Sequence, residues 1–510
     1  MSIVLAYDFG TGGIKASLYQ PDGACLASHA ATYETHYPRP GWHEQDPTAW
    51  WDATVEATRL LLEEWGGAPE SISAVGLSGH SLGVVPLDEK GNLLRQYALI
   101  WSDSRPDTQP AEFFGTISQE QWYLTTGNGF PAPLYTVFKI MWLRDNEPDV
   151  FRNIHRVLGS KDYINYRMTG VMATDCSYAS GSGVWDLAGW RYSDDLIGCS
   201  GLDASIFPEA VASSDVIGAL TAEAAEQLSL PQGVRIVAGG VDNSCMALGA
   251  RAFRDGDAYN SMGSSSWIAV TGSKPLLDVN TRPYVFAHIV PGKFTSALGV
   301  FSTGTSFRWM RDQLCANFDA EAASAGCSAY EIMLDRAAQS PLGANGVMFL
   351  PHLAGGSSLE PSQNIRGAFV HLDLASTHAD LCRAVIEGIA MAQANALAGL
   401  ETLSPLSDEI LAVGGGARSD LWMQIYADMY AKQMVRSQVG QQAAALGAAA
   451  AALVGTGQWA DYSPIAAIHK IIDTKTPIPA HTAAYEKRLE IFRKLNICLS
   501  DIGDDIASLA

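Results

Sequence analysis

The 510-residue sequence has no Cys-x-x-Cys pair, no long hydrophobic run and few charged residues for its size, 17%. Its eight cysteines, at 25, 176, 199, 245, 315, 327, 382 and 498, have no histidine pair near them at zinc-ligand spacing. That excludes a structural zinc module, and the cysteines read as reduced core thiols. The longest small-apolar stretch, Ala443 to Val454, falls well short of the roughly 20 residues that span a bilayer. No basic residue precedes the apolar run Ile3 to Ala6, and Asp8 arrives too soon for a signal-peptide core. Basic side chains are also scarce. Thirty-three Lys and Arg against 54 Asp and Glu leave a formal charge of −21, which repels a phosphate backbone or an anionic leaflet. Neither nucleic acid nor membrane is therefore expected as a partner, and the expected location is cytoplasmic.

What is abundant is apolar surface. Hydrophobic residues make up 47% of the chain, enough for a large core, and the length suits two large domains or three to four ordinary ones. Ile3 to Tyr7 reads as a buried strand that ends in Asp8-Phe9-Gly10-Thr11-Gly12-Gly13, with a second strand from Ile14 to Tyr19. Asp46 is placed to cap a helix that has Pro47 at its first position and Trp50, Trp51, Val55 and Leu60 to Leu62 as its apolar face. Ala74 to Leu77 and Val84 to Leu87 flank a second glycine-marked turn, Ser78 to Gly83. Alternating strands and helices make the class α/β.

Near residue 235 the pattern starts again. Val234 to Val237 leads into Gly239-Gly240-Val241-Asp242 and a helix of small residues, and Tyr259 to Val270 forms strand, polar turn (Gly263-Ser264-Ser265) and strand. Ile410 to Val413 runs into Gly414-Gly415-Gly416, after which Ser419 caps a helix carrying Leu421, Trp422, Ile425, Tyr426, Met429 and Tyr430. The expected division is 1–250, 251–460 and a C-terminal helix and tail over 461–510.

Glycine and hydroxyl residues at a hairpin tip present backbone N–H groups that can hold phosphate oxygens, and Asp8 beside the first tip can hold Mg²⁺ through water. Two such hairpins plus a triple glycine before a capped helix point to a nucleotide cleft. Asp242 opens a helix at its positive end, where a carboxylate serves either as a cap or as a general base accepting a hydroxyl proton. Asp103 and Arg105 suit either a salt-bridged turn or a contact to sugar hydroxyls. Lys161-Asp162 and Trp50-Trp51 read as structural, and His288, His352 and His371 as satisfied polar residues.

The motifs Asp8-Phe9-Gly10-Thr11, Pro40 to Pro47, Trp101 to Arg105, Lys161-Asp162-Tyr163, Gly239 to Asn243 and Gly414 to Ser419 follow one another in unbroken order over about residues 3 to 455. Together they resemble the FGGY carbohydrate kinases, and are most like the xylulokinase branch. The resemblance implies an actin-like (ribonuclease H-like) two-domain ATPase fold with a central cleft, a ketose in the N-terminal half and ATP with Mg²⁺ in the C-terminal half. It implies transfer of the γ-phosphate of ATP to a ketopentose, D-xylulose giving D-xylulose 5-phosphate, with Asp242 as catalytic base and Asp8 near the phosphates and metal. Sugar contacts would come from His80, Ser81, Leu82, Asp103, Asp242 and Asn243. Nucleotide contacts would come from Gly10, Thr11 and Gly12, from Gly263, Ser264 and Ser265, from Trp309, and from Gly414, Gly415, Gly416 and Ser419. A homodimer is the assembly common among similar kinases.

Three departures bear on the sugar. The Met-His usual in the sugar-site turn is absent from Gly79-His80-Ser81-Leu82-Gly83, where period-2 alternation would let His80 share a face with Leu82. Gly355-Gly356-Ser357 stands where Gly-Glu-Arg is usual, and Gln442 where a glutamate is familiar. Kinases for ribulose, fuculose, glycerol or erythritol, an actin- or Hsp70-like nucleotide switch, and a sugar-binding regulator without turnover remain the alternative readings.

Overall fold

Alternation along Ile3–Gly10 decides how the first sheet is covered. Leu5, Tyr7 and Phe9 share one face and join the cluster built on Trp50, Trp51, Val75 and Leu77. Phe9 meets Trp50 edge-on at 5.2 Å, and the Tyr7 hydroxyl lies 2.6 Å from Thr58 Oγ1. These partners lie on the helix Pro47–Trp65, which Asp46 caps through the Thr48 N–H at 2.8 Å. Val4, Ala6 and Asp8 point the other way. On that face Ala74 and Gly76 of the neighbouring strand leave room for the alanine-rich helix Ala443–Gly455.

The computed structural model describes residues 2–509 and divides into two compact units. The first comprises the chain to Asp255, Thr271–Ser296 and Gln442–His469. Its sheet runs, by strand, Val216–Ala219, Arg235–Val237, Ile72–Gly79, Ile3–Gly10, Gly13–Tyr19, Cys25–Thr32, with Gly240–Val241 also paired to Ile72–Gly79. Ile3–Gly10 and Arg235–Val237 lie parallel to Ile72–Gly79, whereas the outer pairings are antiparallel.

The second unit comprises Gly256–Val270, Ala297–Gln441 and Lys470 onward. Ser266–Gly272 and Ala258–Met262 form a hairpin, Glu409–Val413 and Gln433–Ser437 follow in parallel, and Ile471–Lys475 closes the edge antiparallel. The order is that of the first sheet again: hairpin, two parallel strands, antiparallel edge. The 24-residue helix His378–Glu401 packs on this unit's Ala329–Gln339 and Asp420–Tyr430.

Gln442–His469 belongs to the first unit because Ala443–Gly455, apolar all round, fills the sheet's small-residue face. Over 461–510 the chain forms a C-terminal helix of 29 residues, Pro479–Ala507, anchored by Tyr485 and Phe492 and preceded by the edge strand Ile471–Lys475. Among the described residues no helix is long and apolar enough to cross a membrane.

Close packing holds the helix Asp242–Gly249 against Ala443–Gly455. A Cβ at Gly447 would sit 2.0 Å from the Cys245 carbonyl oxygen, and one at Gly249 would sit 1.7 Å from that of Ala443. Gly447→Ala should therefore destabilise the protein by about 1–3 kcal/mol, overriding the roughly 1 kcal/mol that alanine gains in a helix interior. A denaturant midpoint equal to or above that of the parent would contradict this packing.

Candidate active site

Three neighbouring strand ends supply the chemistry. Asp8 pairs with Ser78 across the sheet, and Gly240 pairs with Ser78 from the other side. Asp8, His80 and Asp242 therefore emerge together at the carboxyl ends of parallel strands, the place where open α/β sheets bind ligands. Ser78 Oγ donates to Asp8 Oδ1 at 3.3 Å. Burial pushes the Asp8 carboxyl above its ordinary value, against the opposing pull of Lys15 and the Ser78 hydroxyl.

Asp242 is the first helical residue, with Val241 in the cap position. Its carboxylate therefore does not serve as the N-cap, although its Oδ1 accepts the Asn243 N–H at 2.8 Å. Burial raises the Asp242 pKa to about 7; the Asn243 N–H opposes the rise and the negative charge of Asp8 adds to it. A half-buried carboxylate that titrates near neutrality has the properties of a general base. Asn243 follows it on the same helix.

His80 is buried between Phe9 and Trp50, with ring centroids 5.2 and 5.9 Å away, and neither ring nitrogen has a hydrogen-bond partner. Burial lowers its pKa to about 4, so near neutral pH it is uncharged, with one donor and one acceptor unused. By contrast, the His288 ring contacts the Ala252 carbonyl and the Val290 N–H, and His352 contacts Asn496. Ser81, next to His80, is also buried.

Leu82 and Asp103 sit otherwise than expected. Leu82 has a φ of 62°, so strand alternation stops there. Its side chain joins the core with Val84, Leu99 and Tyr135, a different cluster from the aromatics around His80. Asp103 is fully buried, and its oxygens are taken by Arg105 Nε and Nη2 and by the His43 N–H, at 2.7–3.0 Å. Arg105 also reaches Glu44 at 2.8 Å. This is a salt-bridged turn with no exposed oxygen to offer a sugar.

Lys139 escaped the sequence reading. It is buried in the helix Thr136–Asn146 and donates to the carbonyls of Leu82, Ile100 and Trp101 at 3.0, 2.6 and 3.3 Å, tying the 82 and 100–101 loops together. Burial draws its pKa down to about 7, with Asp103 opposing. A lone cation among Val137, Phe138, Ile140 and Met141 was the available signal.

The first hairpin has Thr11 and Gly12 at its tip between the paired Gly10 and Gly13. Trp101 Nε1 donates to Thr11 Oγ1 at 2.9 Å and Gln45 Nε2 to the Thr11 carbonyl at 2.7 Å, which fixes the tip. In the second unit, Gly263-Ser264-Ser265 turns between Met262 and Ser266, with Ser264 exposed. The N–H groups of Thr303 and Thr305 donate to the Ser264 carbonyl, seating the helix Gly304–Leu314 on this hairpin. Trp309 is half-buried on that helix. Gly414, with a φ of 96° that only glycine adopts without strain, turns the chain against Met262, so the triple glycine lies beside the hairpin. Gly415 is exposed, whereas the Ser419 hydroxyl accepts the Trp422 N–H at 3.2 Å as a helix cap.

Among the described residues no three His, Cys, Asp or Glu side chains gather at a metal-sized site. Mg²⁺ needs fewer, because it keeps several waters and takes one or two carboxylates plus substrate phosphates. Asp8, with Asp242 close enough to feel its charge, fits such an ion arriving with a nucleotide.

Residues 3–249 match the N-terminal domain of the FGGY family of carbohydrate kinases, and residues 258–456 its C-terminal domain. The xylulose kinase of Staphylococcus xylosus is 27% identical over 500 residues, 97% of this chain and 100% of that protein. The crystal structure of xylulose kinase from Rhodospirillum rubrum superposes with a TM-score of 0.87 at 30% identity, covering 98% of this chain and 100% of the other. Gluconate kinase from Lactobacillus acidophilus gives 0.88 at 25% identity, with 98% of each chain covered. With both domain models matched and the two sheets repeating one topology, this chain has the actin-like fold and belongs to the FGGY family of carbohydrate kinases, ATP-dependent sugar phosphotransferases.

Proposed function

We propose that this protein phosphorylates D-xylulose at O5, with Asp242 as the general base. The observation that carries the mechanism is the Asp242 carboxylate, held at the end of the sheet beside Asp8 with its pKa near 7. As the sugar O5 attacks the γ-phosphorus of ATP, its proton passes to Asp242, a new O–P bond forms and the bond to ADP breaks. The first unit would hold the sugar, with His80 and Ser81 at one side of it and Asn243 beside the base. In the second unit, Gly263, Gly414, Gly415 and Gly416, with Ser264, Ser265 and Trp309, would contact the nucleotide; in the first, the hairpin tip of Gly10, Thr11 and Gly12 offers N–H groups suited to phosphate oxygens. When bound, Mg²⁺ offsets charge on the phosphates; Asp8 would hold it through water.

D-xylulose is preferred because xylulose kinases match nearly the full length of the chain. His80 supports a polyhydroxy substrate, since its unpaired donor and acceptor match a hydroxyl. A coupled ADP-release assay against pentuloses, hexuloses, polyols and gluconate, with a no-sugar control, tests the choice. Stimulation chiefly by D-xylulose is expected; stimulation only by another compound would overturn the sugar and keep the kinase.

A pH profile tests the base. It works deprotonated and its pKa is raised, so kcat should fall as pH drops below about 7. Asp8→Asn removes a negative charge that raises the Asp242 pKa, so the acid limb should move to lower pH. A limb that stays put or moves upward would contradict the coupling.

A further inference from the structure

Behind the loop that carries Asp242 lies a buried ionic cluster unused by the chemistry above. Lys161, Asp162 and Asp175 are each wholly buried. Lys161 Nζ contacts Asp162 and lies 2.9 Å from Asp175 Oδ1. For packing alone an apolar filling would serve as well, since desolvation consumes most of the attraction in a buried ion pair. Apolar groups could not, however, satisfy backbone. Lys161 Nζ and Asn165 Nδ2 donate to the Ala238 carbonyl at 3.2 and 2.9 Å. Ser177 Oγ donates to Asp175 Oδ2 at 2.5 Å and accepts the Val241 N–H at 2.9 Å. The cluster thus grips both ends of the segment Ala238–Val241, immediately before Asp242.

The Ser177 hydroxyl has one proton, which it donates in the hydrogen bond to Asp175. That turns a lone pair toward Val241, so the carboxylate fixes the direction of the hydrogen bond. Gly240, the residue before Val241, abuts the same hydroxyl, with Ser177 Oγ 3.0 Å from where a Cβ would lie. We propose that Ser177, oriented by Asp175 and Lys161, is a positioning residue that sets the aim of the Asp242 carboxylate at the sugar hydroxyl. The inference rests on the reading of Asp242 as the base. It assigns a task to the Lys161-Asp162 motif, whose local pattern is that of a structural pair.

The test is steady-state kinetics of the full-length chain with D-xylulose and Mg-ATP, and with the preferred sugar should the panel name another. Ser177→Ala should lower kcat roughly 10- to 100-fold, the scale of a small misplacement of a reacting group, with both KM values within about twofold. Ser213→Ala removes another hydrogen bond to Asp175, made at 2.7 Å, without touching Val241, and should leave kcat within about twofold. In an Asp242→Asn background, Ser177→Ala should have no further effect, because its action passes through the missing base. If Ser177→Ala does not fold, Ser177→Cys, which keeps a weak acceptor, takes its place with a smaller fall in kcat. Wild-type kcat in the Ser177 variant, an equal loss in Ser213→Ala, or an undiminished effect in the Asp242→Asn background would each overturn the positioning role. Wild-type turnover in Asp242→Asn alone would instead overturn the base reading, and the positioning role with it.

Discussion

Asp242→Asn is expected to lower kcat by about 10²- to 10⁴-fold while leaving the fold and nucleotide binding intact. Asparagine keeps the shape and can still accept the Asn243 N–H that Asp242 Oδ1 accepts at 2.8 Å, so the helix Asp242–Gly249 should start as before. What it cannot do is take a proton near neutral pH. The loss should therefore fall on kcat, with sugar and ATP affinities little changed when measured by calorimetry. An equal weakening of sugar binding would mean that Asp242 acts as a ligand; near-normal turnover would remove it from the mechanism.

The second large effect lies beneath the base. Lys161→Met should cost about 3–5 kcal/mol of stability, because it leaves Asp162 and Asp175 buried without their cation. Burial works against the Lys161 charge, yet Asp162 and Asp175 outweigh it and hold the ammonium above its ordinary value. Burial likewise pushes Asp162 up, with Lys161 opposing. Without Lys161 the opposition goes, and the folded-state carboxylate pKa rises further above the unfolded value near 3.9. A group raised in this way favours folding at low pH and loses that contribution as pH climbs through its folded value. The deficit relative to wild type should therefore be larger at pH 8 than at pH 5 in chemical denaturation. A pH-independent loss would point to packing rather than uncompensated charge.

Local signals made much of this legible. The strand before Asp8, the hairpin tip at Thr11-Gly12, the Asp46-Pro47 helix start and the Ser419 cap follow from neighbours within a few residues, and each stands where its spacing puts it. Distant partners decided the rest. Asp103 is saturated partly by the His43 N–H, which lies 60 positions away, and no local pattern distinguishes that turn from a sugar contact. The positive φ at Leu82 breaks an alternation that the apolar sequence suggests. The helix Ala443–Gly455 reads as apolar all round, and only the small side chains at Ala74 and Gly76 reveal which sheet it covers. The edge strand Ile471–Lys475 is largely exposed and so lacks the buried alternation that marks a strand.

The measurement that bears most directly on sugar phosphorylation by Asp242 is phosphorus NMR of Mg-ATP with D-xylulose, run on wild type and Asp242→Asn with a no-sugar control. A phosphomonoester resonance should grow with ADP only when sugar is present, and about 10²- to 10⁴-fold more slowly in Asp242→Asn than in wild type. Inorganic phosphate released regardless of sugar, or the same monoester formed at a comparable rate by Asp242→Asn, would contradict it.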